Sequence, residues 1–166
     1  LCIHRQIKKF VYVSSVHAFP DKTDGNVQTE HAQFDYRAAA GHYGRSKAKA
    51  TQMVLNAKNR LNITVVHPSG LIGPEDYCNG SMTQMIKLYL KRKLPAGVKG
   101  GYDFSDVRDV ARGVIKASEY EKSGECFILS GHYKLIKDLF SEIDQNTGIG
   151  RSLPCVPLSM AKAAAP

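Results

Sequence analysis

Three short apolar runs punctuate the chain, FVYV at Phe10 to Val13, ITVV at Ile63 to Val66 and CFIL at Cys126 to Leu129, with long helical-phase stretches between them. Continuous runs of strand-type residues, without polar alternation, read as strands buried on both faces. Strands joined through helices pair in parallel, because parallel neighbours need a crossover of a dozen residues or more. The pattern specifies an α/β chain built on a parallel sheet.

The intervening segments carry helix signals. Asp35 can cap a helix from about Tyr36 to Asn59, with Ala39, Tyr43, Ala50, Met53, Val54 and Ala57 on its inner face. Ser81 can cap a short helix with Met82, Met85, Ile86 and Tyr89 along one side. After a glycine-rich turn, GVKGGYDF, residues Val107, Val110, Ala111, Val114 and Ile115 fall in helical phase behind Ser105 or Asp106. Leu135, Leu139 and Ile143 define a last helix, stopped by Gly148. Residue 1 enters within a helix, and the final PLSMAKAAAP begins another. The polar segment from Val16 to Asp35 is long for a connection, which favours a functional role.

With 43% hydrophobic and 23% charged residues the composition is that of an ordinary globular domain. No apolar run approaches the ~20 residues of a membrane span, and the leading residues lack the layout of a signal peptide, so a cytoplasmic location is the default. Cys2, Cys78, Cys126 and Cys155 are widely spaced, with no Cys-x-x-Cys and no histidine at ligand spacing, so they read as reduced thiols and no metal site is expected. The net charge of +8 suits anionic partners. Its densest cluster is only Lys91-Arg92-Lys93, which reads as a solvated helix end, and nucleic acid is disfavoured as a partner.

The stretch HYGRSKAKA sets Tyr43 and Lys47 one helical turn apart. With 8 tyrosines and 15 lysines, chance supplies such a pair about 0.7 times. Tyr89 with Lys93 and Tyr133 with Lys137 share the spacing, so the surroundings must discriminate. Ser14 and Ser15 follow the first strand at its carboxyl end, where open parallel sheets bind ligands, and the next long helix carries Tyr43. Residues four apart stack on one helix face, so Lys47 can favour the Tyr43 phenolate. An unperturbed tyrosine ionises near 10. A unit charge ~4 Å away at an effective dielectric of ~20 is worth roughly 4 kcal/mol, which makes a shift of up to about 3 units available. A serine hydroxyl at the strand end could hold the reacting oxygen while its charge changes.

VYVSS, YGRSK, VVHPSGLIGP and DFSDVRDVA, in that order, resemble the extended short-chain dehydrogenase/reductases, the NAD-dependent epimerase/dehydratase and dihydroflavonol reductase group. The resemblance runs from Phe10 to about Gly148. It implies the C-terminal part of a Rossmann-type parallel sheet (residues 1–67 and 107–131) with a small substrate-binding lobe (68–106 and 132–166). It further implies NAD or NADP as cofactor and hydride exchange with a small carbonyl or alcohol. Tyr43 would exchange the proton, Lys47 would lower its pKa and bind the nicotinamide ribose, and Ser15 would polarise the substrate, with Ser14 as the adjacent candidate. Pro68 and Ser69 match the loop against the nicotinamide. His17, Tyr77 and Tyr102 are candidates on the substrate side, while Arg108 and Asp109 match an element that holds helix and loop in place. A homodimer of the full-length protein is compatible with this reading.

The family's glycine-rich phosphate fingerprint occurs nowhere in the sequence. GHYG, GLIG and GVKG each lack a third glycine, and none opens a helix directly after a strand. The resemblance thus implies an N-terminally truncated fragment, inactive by itself. A sugar-nucleotide epimerase or dehydratase is one alternative. Another is a non-catalytic Rossmann-type module that binds RNA or a protein partner. A serine hydrolase using Ser15 and His17 is disfavoured, because no G-x-S-x-G elbow is present.

Overall fold

The computed structural model describes residues 1–20, 27–30, 34–149, 153–157 and 159–160. Parts of the Val16 to Asp35 connection and most of the expected C-terminal helix lie outside the described residues. The chain divides into two compact units, residues 1–69 with 107–130, and residues 70–106 with 131–166.

The first unit is a parallel sheet of order β1-β2-β6, formed by β1 (Phe10–Val13), β2 (Ile63–Pro68) and β6 (Glu125–Leu129). Phe10 pairs with Ile63 and Val13 with Val66, while Thr64 pairs with Glu125 and Pro68 with Leu129. All six residues of β2 are buried, as its apolar run and central place require. The expectation of burial on both faces fails for β1 and for β6, whose five residues are all half-buried. Strand β1 pairs only with β2 among the described residues, and its side chains are half-buried, with Val13 exposed. Two helices of this unit, α1 (Gly41–Leu55) and α3 (Val107–Glu119), both pack on β2.

Helix α1 is shorter than its periodicity predicts. Asp35 caps a turn instead, with its Oδ1 accepting from Arg37 N and its carbonyl oxygen accepting from Ala38 N and Ala39 N. Ala40 is then extended and Gly41 takes a left-handed φ of 65°, which prevents the turn from continuing into the helix. At the far end Ala57 N bonds to Val54 O and Lys58 N to Leu55 O, tightening the chain into 3-10 geometry before Asn59. The inner stripe is also displaced. Gly44, Ala48 and Thr51 are buried, whereas Tyr43 and Met53 face solvent. Small residues let the helix approach the sheet, and the larger apolar ones are left outside.

In α3 the buried line is Val110 and Ala117, with Ile115 turned outward. The first residues form a single turn, Arg5 N bonding to Leu1 O, that ends at left-handed Gln6 rather than extending as a helix.

The second unit holds a sheet of order β3-β5-β7, from β3 (Gly70–Ile72), β5 (Gly101–Asp106) and β7 (His132–Leu135), the last pair antiparallel. A two-stranded ladder joins β4 (Gly97–Val98) to β8 (Cys155–Val156). The segment GVKGGYDF, expected as a turn, therefore supplies strand residues on either side of Lys99 and Gly100. Here α2 (Ser81–Leu90) is capped by Gly80 rather than Ser81, while the Asp76 carboxylate accepts from Gly80 N at 2.7 Å. Helix α4 (Ile136–Thr147) buries Leu139 and Phe140 and stops at left-handed Gly148, as the sequence predicts. No helix among the described residues is long and apolar enough to cross a membrane. No group of three potential ligands among them could hold a metal ion.

Candidate active site at the carboxyl edge of the first sheet

Because β1, β2 and β6 run parallel, their carboxyl ends share one edge, the edge beyond which open parallel sheets bind ligands. Ser14 N extends the ladder to Val66 O at 2.8 Å, and Ser69 N bonds to Leu129 O at 3.2 Å. Ser14, Ser15, Pro68 and Ser69 therefore gather along this edge.

Helix α1 is fastened beside it at three successive turns. The Thr51 and Ser14 hydroxyls share a buried hydrogen bond of 2.7 Å. One turn earlier, Lys47 Nζ donates to the Val13 carbonyl at 3.2 Å. A further turn back, Gly44 lies against the main chain of His17, inside the 3-10 helix Val16–Ala18 that follows Ser15. Tyr43 precedes Gly44 and so emerges beside that short helix. Its side chain is 57% exposed, and its ring meets the His17 ring edge-on at 6.0 Å.

The two serines differ in what their hydroxyls are free to do. Ser14 is buried and bonded to Thr51, so its hydroxyl anchors the helix. Ser15, also buried, is the N-cap of the 3-10 helix, where its Oγ accepts from His17 N at 3.2 Å, and among the described residues its own O–H has no acceptor. Lys47 stands between two phenols, its Nζ 5.6 Å from the Tyr12 ring centroid and 5.9 Å from that of Tyr43. Burial pushes the Tyr12 phenol above its ordinary pKa, with neighbouring Tyr43 adding to the rise.

The first unit thus brings together Ser15, His17, Tyr43 and Lys47. Tyr77 and Tyr102 belong to the second unit: Tyr77 is 88% exposed, and Tyr102 packs edge-on to Phe104 in β5. The competing tyrosine–lysine pairs have no such setting. Tyr89 is fully buried and stacked on Phe140 at 4.4 Å, and Tyr133 and Lys137 lie on different elements, β7 and α4. Asp109 pairs with Arg112 on the exposed side of α3.

Sequence reasoning missed Tyr12, Thr51 and above all His67. His67 is fully buried in β2, with Nδ1 3.1 Å from Ser15 O. Its ring joins a three-ring cluster, 4.6 Å from Phe19 and stacked on Phe34 at 5.1 Å, with the two phenylalanines 4.9 Å from each other. Burial pushes its pKa down to about 4, against smaller opposing effects of the Ser15 carbonyl and the Glu30 charge. The available signal was an imidazole in a strand of mostly apolar, buried residues, since such a group needs a directed partner.

Residues 1–130 match the model of the NAD dependent epimerase/dehydratase family, and the chain belongs to that family. It is 33% identical over 157 residues to a Synechocystis protein provisionally named dihydroflavonol 4-reductase, covering 92% of this chain and 46% of that one. The crystal structure of gox2253 superposes with a TM-score of 0.88 at 31% identity, over 98% of this chain and 50% of the other. The dTDP-glucose 4,6-dehydratase of Bacillus anthracis, solved in complex with NAD, gives a TM-score of 0.75 at 20% identity, over 90% and 49% of the two chains. The chain spans about half the length of the curated relatives it matches.

Proposed function

We propose that this chain carries the proton-transfer and substrate-polarising groups of an NAD(P)-dependent oxidoreductase acting on a small carbonyl or alcohol. The observation that supports the reading is the exposed Tyr43, with Lys47 Nζ 5.9 Å from its ring and that ring 6.0 Å from the ring of His17, whose main-chain N–H donates to the Ser15 hydroxyl oxygen. The donor set suits the nicotinamide–ribose end of a dinucleotide. Lys47 spends one N–H on Val13 O and retains two for ribose hydroxyls, and Pro68 and Ser69 border the same sheet edge. When bound, the dinucleotide supplies or accepts the hydride.

In the reducing direction Ser15 donates a hydrogen bond to the carbonyl oxygen as negative charge builds on it. Tyr43 Oη releases its proton to that oxygen, giving the alcohol and a tyrosinate. The Lys47 ammonium stabilises that tyrosinate until a proton returns from solvent. Oxidation runs the same steps backwards, with Tyr43 accepting the alcohol proton. The residues 70–106 and 131–166 would form the substrate-binding lobe.

Tyr43→Phe in the complete protein tests the reading. Turnover should fall by about 10²- to 10⁴-fold while nucleotide affinity stays within about twofold of wild type. Retained turnover would reject the assignment.

A second reading, epimerisation or dehydration of a sugar nucleotide, is supported by the likeness to the dTDP-glucose 4,6-dehydratase bound to NAD. The two differ in redox stoichiometry. A reductase consumes one reduced nicotinamide per product, whereas an epimerase or dehydratase restores its cofactor at each turnover.

A further inference from the structure

We propose that His67 is a positioning residue of this site: its Nδ1–H, donated to the Ser15 carbonyl, fixes the turn that presents the Ser15 hydroxyl and the His17 ring beside Tyr43. The inference rests on reading Ser15 and Tyr43 as the reacting pair.

The protonation state follows from the geometry. Nδ1 faces a carbonyl oxygen at 3.1 Å, which can only accept, so Nδ1 carries the hydrogen in the neutral ring. Nε2 is then a bare lone pair. It is buried and, among the described residues, has no hydrogen-bond partner. An unsatisfied buried acceptor is destabilising, and an aliphatic side chain in β2 would avoid that cost. What the histidine provides and an aliphatic residue cannot is the bond from Nδ1.

That bond falls on the hinge of the site. The Ser15 carbonyl also accepts from Ala18 N at 3.0 Å, the bond that closes the 3-10 helix, so its two lone pairs are both engaged. A carbonyl held by two donors fixes the peptide plane between Ser15 and Val16. This plane helps hold the extended Ser15 backbone, at φ −164° and ψ 156°, from which its side chain projects, and sets the path of the chain into His17. His17 N then returns to Ser15 Oγ, closing the cap.

The ring itself is well aimed. Phe34 stacks on it within 11° of parallel and Phe19 lies 4.6 Å away, so these contacts fix the plane of the imidazole, and of its two in-plane settings only the one with Nδ1 toward Ser15 O makes the 3.1 Å bond. The ring plane thus points an edge at Ser15 O, and the hydrogen bond selects the Nδ1 edge. The chain of effect runs from the aromatic cluster to Nδ1, to the Ser15 peptide, and so to the hydroxyl and the His17 ring 6.0 Å from Tyr43.

Two variants separate aiming from bulk. His67→Phe keeps an aromatic ring in the cluster and removes the donor; His67→Asn is smaller and keeps an N–H donor close to the Nδ1 position. In the complete protein, amide hydrogen exchange is followed at Ala18, with the β2 amides Thr64 to Val66 as reference. We expect Ala18 to exchange about tenfold faster in His67→Phe and to recover in His67→Asn, with the β2 amides unchanged in both. Equal protection at Ala18 in His67→Phe and wild type, or a loss that asparagine does not recover, overturns the proposal.

The same variants are assayed for reduction of benzaldehyde with NADH and with NADPH alongside Tyr43→Phe. The expected signature in His67→Phe is a kcat about tenfold lower, with an unchanged KM for whichever cofactor supports turnover. A tenfold rise in that KM with kcat intact would sink the positioning role. If Tyr43→Phe turns over like wild type, the proposed function falls, and the exchange measurement still judges the His67 bond by itself.

Discussion

The carbonyl oxygen of His17 stands 2.6 Å from the point where a β-carbon on Gly44 would fall. No carbon can occupy that position without moving the main chain, because the obstruction is backbone and not the tip of a flexible side chain. Gly44→Ala must therefore push α1 away from the 3-10 helix. Overpacking of this kind costs about 1–3 kcal/mol. The expected outcome is a lower denaturant midpoint with an unchanged m-value, together with impaired turnover, since Tyr43 is the adjoining residue. Wild-type stability in Gly44→Ala would show that the helix does not need this approach.

The Ser14–Thr51 bond makes a separate prediction. Both hydroxyls are buried and 2.7 Å apart, so each satisfies the other. Removing one partner strands the other in a dry site at a cost of about 1–3 kcal/mol, whereas removing both leaves nothing unsatisfied. Thr51→Val and Ser14→Ala should each destabilise, and the double variant should lose less than the sum of the two. Additive losses in the unfolding free energies would mean the hydroxyls act independently.

What could be read without coordinates divides along a physical line. FVYV, ITVV and CFIL became β1, β2 and β6 because unbroken runs of strand-type residues favour extended chain, a signal carried by each residue alone, whereas full burial came only to the central β2. Gly148 ended α4 for a similarly local reason. The inner face of α1 was misjudged because apolar content named Tyr43 and Met53, while tertiary approach selected the small residues Gly44, Ala48 and Thr51. The start of α1 was misjudged because Asp35 caps any turn, and nothing in its neighbours states that Ala40 will be extended. Tyr43, Lys47 and Ser15 could be nominated from order along the chain. The partnership of His67 with Ser15 could not, because it joins residues 52 apart whose meeting depends on strand register.

Cysteine reactivity follows from placement. Cys126 lies in β6, where burial pushes its thiol up to about 11, assisted by the nearby Glu125 and Glu30 charges and opposed by Lys58. Cys78 is exposed. The thiolate is the nucleophile, so Cys126 should be nearly inert at neutral pH. Timed alkylation with iodoacetamide at pH 7.5, read by peptide mass, should label Cys78 at least about tenfold faster than Cys126. Comparable rates would mean that β6 opens readily in the native protein.

His67 also makes stability depend on pH, in a direction that can be worked out. In the unfolded chain its imidazole takes a proton near 6.5, whereas in the folded protein burial delays protonation to about 4. Between those values the unfolded state binds more protons, so stability rises with pH through this window and falls as the pH is lowered. The contribution is whole above about pH 6.5 and is lost progressively down to about pH 4, for a total of roughly 3 kcal/mol. Glu30 is the charged group that bears on the ring, and its negative charge favours the protonated form, which moderates the loss. His67→Phe removes the titrating group and should flatten this part of the profile, leaving the slopes due to other histidines and carboxylates in place. Chemical denaturation at half-unit steps from pH 4.5 to 7.5 supplies the comparison. Parallel profiles for wild type and variant would show that His67 is not held neutral in the folded protein.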